Sequence, residues 1–264
     1  MENRIEKILK DNSKKVVIYT MAGYPDLETT KQLIKLLDTV GVSLIELGIP
    51  FSDPVADGPV IQSAGEVALK RGTTIKKIFK LVREIRNDVK IPIVVMTYYN
   101  IIFNYGKEKF IKDAVKAGID GAIIPDLPFD EEVDFYNYAK KSNFYIIYLV
   151  APTNTITRAE KIVEKSMGFV YYILLRGVTG VRNKNESDLN RLIELKKSTD
   201  KPFFAGFGIS KPQQARMILK YADGVIIGSA FIDEISKYIK NKSLLLKKAK
   251  KFIKEFINEA KKAS

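Results

Sequence analysis

Three carboxylates set the chemical question. Glu46 sits inside the apolar run Ser43-Leu44-Ile45-Glu46-Leu47, and Asp53 and Asp57 follow in Gly48-Ile49-Pro50-Phe51-Ser52-Asp53-Pro54-Val55-Ala56-Asp57-Gly58-Pro59. The chain holds no His and no Cys. Ser-His-Asp and Cys-His catalysis, disulfides and the common zinc sites are therefore excluded, and acid–base work falls to Asp, Glu, Lys or Tyr. If the run is a strand, Leu44, Glu46 and Gly48 share one face, and Ile45 and Leu47 share the other. A carboxyl on the inner face is costly unless it is paired or used, and burial would raise its pKa toward that of a proton donor. Asp53 and Asp57 are good turn formers, yet beside an inward Glu46 they also make a compact carboxylate group. A divalent-metal site from Asp53, Asp57 and Asp126 is conceivable, but nothing in the spacing demands one. Imine chemistry would need a lysine at a strand end. None is found there, since Lys14, Lys15, Lys90 and Lys201 all precede strands.

The elements that must position these groups can be read from hydropathy. Eight β-rich runs recur, at 16–20, 43–47, 92–96, 121–124, 144–150, 169–174, 203–205 and 224–227. Most are apolar nearly throughout, as expected of parallel strands covered on both faces. Helical periodicity lies between them, at 27–40, 74–86, 107–117, 130–141, 155–165, 187–198, 211–221 and 244–261. Eight alternations in 264 residues point to a single α/β domain over 1–264. It reads as a (β/α)8 TIM barrel with extra N-terminal and loop helices, and the alternative is an open doubly wound sheet. In a barrel the site lies at the C-terminal strand ends, where Glu46 and its loop fall. Gly206, Gly208 and Gly228, with Ser229 at a helix start, fall at the last two strand ends and suit a phosphate group. Residues 176–188, rich in Gly, Asn and Lys, read as a lid loop.

Composition narrows the partners. Lys and Arg total 44 against 31 Asp and Glu, a net charge of +13, which invites a nucleic-acid reading. Only nine of the basic residues are Arg, the preferred reader of phosphates and bases. The lysines cluster on helical stretches such as 244–256, around an apolar stripe of Leu245, Phe252, Ile253 and Phe256. That pattern describes a solvated helix face. No apolar run reaches the length of a membrane span, and the N-terminal residues lack a secretory apolar core, so a cytoplasmic location is expected.

The segment 45–59 closely resembles the signature of the tryptophan synthase α subunit family. The likeness continues, in order, through Met96-Thr97-Tyr98-Tyr99-Asn100, Pro125-Asp126-Leu127-Pro128, Gly177-Val178-Thr179-Gly180, Gly206-Phe207-Gly208-Ile209 and Gly228-Ser229-Ala230. The resemblance implies retro-aldol cleavage of indole-3-glycerol phosphate to indole and glyceraldehyde 3-phosphate. A free-standing lyase without a β partner is the alternative. Carried onto this chain, the likeness makes Glu46 the catalytic acid/base and Asp57 the acceptor of the indole N–H, with Tyr171 near the reacting centre. Tyr19, Tyr98, Ile123 and Val150 would line the indole pocket. Gly180, Phe207, Gly208, Gly228 and Ser229 would hold the phosphate, and Asp53 and Thr179 would meet on loop closure. It further implies no metal and no cofactor in this chain, pyridoxal phosphate being confined to a partner β subunit in an α2β2 heterotetramer. The contact with that subunit would form from the strand-two loop, the second helix and a loop at 100–104. The chain departs from the family at Tyr24, where Asp is usual, at Pro125 and at Arg176.

Overall fold

The computed structural model describes residues 2–174 and 182–263. Among these residues nine parallel strands form one sheet: β1 (Lys15–Met21), β2 (Leu44–Gly48), β3 (Ile93–Met96), β4 (Gly121–Ile123), β5 (Tyr145–Ile147), β6 (Leu149–Val150), β7 (Val170–Ile173), β8 (Phe203–Gly206) and β9 (Gly224–Ile227). Their order is β5-β4-β3-β2-β1-β9-β8-β7-β6. The two ends of that order are consecutive in the chain and separated by Tyr148 alone, so the sheet curls into a parallel barrel. The run at 144–150 is thus one strand broken once. The Tyr148 N–H leaves the ladder and donates to Ser166 Oγ (3.0 Å), while its carbonyl still accepts from Tyr171 (3.1 Å).

Twelve helices among the described residues surround the barrel: α1 (Arg4–Leu9), α2 (Leu27–Val40), α3 (Pro59–Lys70), α4 (Ile75–Ile85), α5 (Tyr99–Tyr105), α6 (Lys107–Ala117), α7 (Val133–Lys141), α8 (Ile156–Lys165), α9 (Arg182–Lys196), α10 (Pro212–Leu219), α11 (Ser229–Ser236) and α12 (Lys242–Lys261). The periodic segments fall on eight of them. α12 buries Leu245, Ala249, Ile253, Phe256 and Ala260, one stripe at helical spacing, and leaves its lysines outside. Capping fixes the helix ends where residue type predicts it. Asp26 accepts from Thr29 N–H (2.7 Å) at the start of α2, and Gly41 closes that helix at φ +88°.

Hydropathy alone did not show α3, α5 and α11. α3 buries only the small residues Ala64, Gly65 and Ala68, and it begins at Gly58-Pro59, which also reads as a turn. α5 has one buried residue, Ile102, and it turns the expected loop at 100–104 into helix. α9 starts at Arg182, so the expected lid at 176–188 is helical from there, and its first part lies outside the described residues.

The strands bring the two faces of the molecule to different uses. At their N-terminal ends, Lys15 pairs with Asp11, and Lys201 Nζ caps α8 through the carbonyls of Val163 (2.6 Å), Glu164 (3.0 Å) and Ser166 (2.6 Å). At their C-terminal ends a cavity opens.

Candidate active site

Register places the acid. Tyr19 of β1 pairs with Glu46 of β2, and Glu46 pairs with Val94 of β3, so the Glu46 side chain stands on the inner face. It is 1% exposed, and its Oε2 has no hydrogen-bond partner among the described residues. An ionised carboxylate there would be expensive. Burial, reinforced by the nearby Asp57 carboxylate, accordingly raises its pKa from 4.5 to about 8. At neutral pH Glu46 is predominantly a neutral carboxyl with a proton to give.

Glu46 and Asp57 face one cavity. Asp57 lies just before α3. Burial lifts its pKa from 3.8 to about 6, and the neighbouring Tyr98 hydroxyl draws it back down. The two carboxyls therefore differ in state near neutrality: Glu46 keeps its proton and Asp57 has lost it. Two tyrosines close the cavity floor. Burial holds both phenols well above their ordinary pKa, with Asp57 and Glu46 adding to the effect at Tyr19, and Glu46, Tyr19 and Asp57 adding to it at Tyr171. Neither ionises under ordinary conditions.

Two glycines make room for those phenols. A Cβ on Gly48 would stand 2.2 Å from the Tyr19 hydroxyl, and one on Gly206 would stand 2.4 Å from the Tyr171 hydroxyl. Gly206, expected at the phosphate rim, does not itself line the cavity and makes room for Tyr171. Its successors do line it. Phe207 and Gly208 both have positive φ, +75° and +70°, and Gly228 precedes the uncapped N-terminus of α11 at Ser229. A non-glycine residue held at positive φ is costly and marks a constrained site. Phe207 is partly exposed over the opening, its ring 6.0 Å edge-on from that of Tyr171. Free backbone N–H groups at a helix start favour an anion.

Glu46, Asp57, Tyr171, Tyr19, Phe207, Gly208, Gly228 and Ser229 thus line the same cavity. Tyr98 stands behind it, joined through Asp57. Ile123 and Val150 are fully buried in β4 and β6 without lining it. Asp53 is exposed, hydrogen-bonded with Ser52, and borders a separate groove beside α3. Gly180, Thr179 and Arg176 lie outside the described residues. Tyr24 is buried in the core cluster, not presented on the surface of its loop. Five apolar lining residues were not foreseen: Ala56, Ile61, Met96, Ile209 and Ile226. Period-two counting along β9 would have found Ile226, which stands two residues before Gly228. Ile61 belongs to α3, the helix that hydropathy concealed.

Among the described residues no group of three or more carboxylates assembles as a metal site. Asp126 is engaged elsewhere, accepting from the Tyr99 N–H (2.9 Å) at the start of α5. No lysine among the described residues lines the cavity.

Fold and site together define a (β/α)8 barrel with a neutral buried carboxyl and an ionised one facing a single cavity at the C-terminal strand ends. Comparison with known proteins makes the class specific. The tryptophan synthase alpha chain family model matches residues 5–261. The tryptophan synthase alpha chain of Petrotoga mobilis is 46% identical over 96% of this chain and 98% of its own length. That of Caldanaerobacter subterraneus is 43% identical, covering 96% of each chain. The crystal structure of the alpha chain from Legionella pneumophila superposes with a TM-score of 0.90 at 33% identity, covering 98% of both chains. Tryptophan synthase of M. tuberculosis, in an aminoacrylate-bound form, includes a chain that matches with a TM-score of 0.86 at 30% identity, over 99% of this chain and 100% of that one. The chain belongs to the tryptophan synthase alpha chain family. Its activity is accordingly the α-subunit lyase reaction of tryptophan biosynthesis, cleavage of indole-3-glycerol phosphate, and its partner is a β subunit.

Proposed function

We propose a division of labour for that reaction among the residues of the cavity. Indole leaves through C3, which must be protonated before the carbon–carbon bond breaks. Glu46 delivers that proton, because it is the buried carboxyl that stays neutral near pH 7. Asp57, ionised over the same range, accepts the indole N–H and stabilises the positive charge that develops on the nitrogen. As the aldehyde forms, the glycerol hydroxyl gives up a proton, which the Glu46 carboxylate accepts. Tyr171 packs beside the reacting centre. Tyr19 and Tyr98, with Ile123 and Val150 behind them, shape the indole end. Phe207, Gly208, Gly228 and Ser229 hold the phosphate, joined by Gly180, and Asp53 and Thr179 meet when the site closes.

In this reading 1–264 is one domain, supported by a single core cluster running from Ile5 to Ala260. The chain itself needs no cofactor, pyridoxal phosphate belonging to the β subunit. No helix among the described residues is long and apolar enough to cross a membrane, and we place the reaction in the cytoplasm. The observation that carries the assignment is the neutral Glu46 carboxyl facing the cavity, its Oε2 without a partner among the described residues. It is tested by incubating the protein and its Glu46→Gln variant with indole-3-glycerol phosphate and scoring indole, with and without β subunit. The variant should still bind substrate and release no indole. Turnover near that of the parent would remove Glu46 from the mechanism.

A further inference from the structure

The loop that carries Asp57 is tied to the barrel by one side chain that the cavity does not contain. Tyr98 stands at the C-terminal end of β3 and precedes the first turn of α5. It is 3% exposed, and its ring packs 5.3 Å from that of Phe51. Its hydroxyl accepts the Ala56 N–H at 3.0 Å and lies beside the carboxylate of the next residue, Asp57, whose pKa it lowers. The loop's other bonds are local: Val55 N–H to the Asp53 carbonyl, Asp57 N–H to the Pro54 carbonyl, and Gln62 Nε2 to the Asp57 carbonyl. A phenol has one proton and can still accept. With the Ala56 N–H pointing at its oxygen, the phenol proton is left for Asp57. The ring is anchored on a rigid strand end, whereas the carboxylate sits on a loop rich in Pro and Gly.

We infer that Tyr98 is the positioning residue for Asp57: its hydroxyl clamps the loop at Ala56 and spends its proton on the neighbouring carboxylate, fixing that group's orientation and its ionised state. The role goes beyond that of a pocket wall. It rests on the reading of Asp57 as the group that meets the indole N–H. Loss of the hydroxyl frees the loop and removes the one contact among the described residues that favours the charged form of Asp57, against the burial that opposes it. The other ionisable groups facing Asp57 are Glu46 on β2, Tyr19 on β1 and Tyr171 on β7. All three are held neutral near pH 7, so none replaces the phenol as a donor already committed to the carboxylate.

The test is Tyr98→Phe, which keeps the ring against Phe51 and deletes only the hydroxyl. In the α2β2 complex, kcat for indole release should fall about tenfold, the usual scale for one hydrogen bond to a charged group, with KM changed less than threefold. The acid limb of the kcat/KM profile should move to higher pH. A second readout needs no substrate. Carbon-13 NMR of labelled aspartates in the full chain should show the Asp57 titration displaced upward in Tyr98→Phe relative to the parent, assigned by its loss in Asp57→Asn. A displaced titration together with reduced kcat supports the proposal. An Asp57 titration that does not move, or an acid limb that stays in place while the rate falls, overturns it by showing a merely structural effect. Failure of the underlying reading looks different: Asp57→Asn would then turn over at the parental rate, whatever Tyr98→Phe does to the titration.

Discussion

Two carboxyls at one cavity have been driven to different states by their surroundings, and the difference is measurable. Asp57 must be ionised and Glu46 protonated for the proposed chemistry, so kcat/KM should rise through about pH 6 and fall through about pH 8. The same shift at Glu46 makes a stability prediction of definite sign. Its ordinary pKa is 4.5 and its folded value about 8, so between these the folded protein holds a proton that the unfolded chain releases. The contribution is fully present below pH 4.5 and is lost as pH rises through 8. Unfolding free energy at pH 5 should therefore exceed that at pH 9 by an amount on the order of a few kcal/mol from this group. Denaturant titrations at the two pH values check it. Glu46→Gln, which cannot ionise, should reduce the difference; an unchanged difference would mean that the carboxyl titrates normally in the fold.

Strands position the site through what they omit as much as through what they carry. Gly206 ends β8 where the Tyr171 hydroxyl needs space. Gly206→Ala should push that phenol into the cavity, costing roughly 1–3 kcal/mol as an overpacking change and lowering indole release more than tenfold. Gly41 supplies the contrast. It closes α2 at φ +88° with open space around its Cα, so Gly41→Ala should cost about 1 kcal/mol in backbone strain and leave kcat alone. Thermal melts and turnover on the two variants distinguish a steric notch from a conformational one. The same contrast explains what could be read in the sequence. Eight strands, eight periodic helices and the inward Glu46 follow from apolar spacing, because those elements bury large side chains on a regular face. α3 and α5 do not, since they bury small residues or a single Ile102. The role of Gly206 was hidden for a similar reason. A glycine reads alike whether it frees a backbone for a ligand or vacates space for a side chain, and only the register with β7 separates the two.

Across the whole molecule the two ends of the barrel are specialised, and the division can be tested at the end remote from the chemistry. Asp120, 5% exposed, accepts from Arg86 Nη2 (2.6 Å), Arg4 Nη1 (2.9 Å) and the Ile93 N–H (2.8 Å). Arg86 ends α4, and its other donors reach the carbonyls of Gly118 (2.7 Å), Val89 (3.2 Å) and Ile91 (2.7 Å). One ion cluster thus joins α1, α4 and the N-terminal ends of β3 and β4. Asn3 adds to it by donating to the backbone carbonyls of Asp120 and Asn143. Burial pulls the Arg86 pKa down to about 10, with Asp120 opposing that pull. Removal of the carboxylate leaves a desolvated guanidinium without its counter-charge, which typically costs about 3–5 kcal/mol. Asp120→Ala should accordingly lower the melting temperature by roughly 10 °C for a domain of this size. Below that transition kcat for indole release should stay within twofold of the parent, because conserved catalytic geometry in this fold is set at the opposite strand ends. Melting curves and turnover at 25 °C, measured on the same preparation, decide the matter. A protein that melts normally but turns over slowly would show that the ion cluster reaches the active site through the strands.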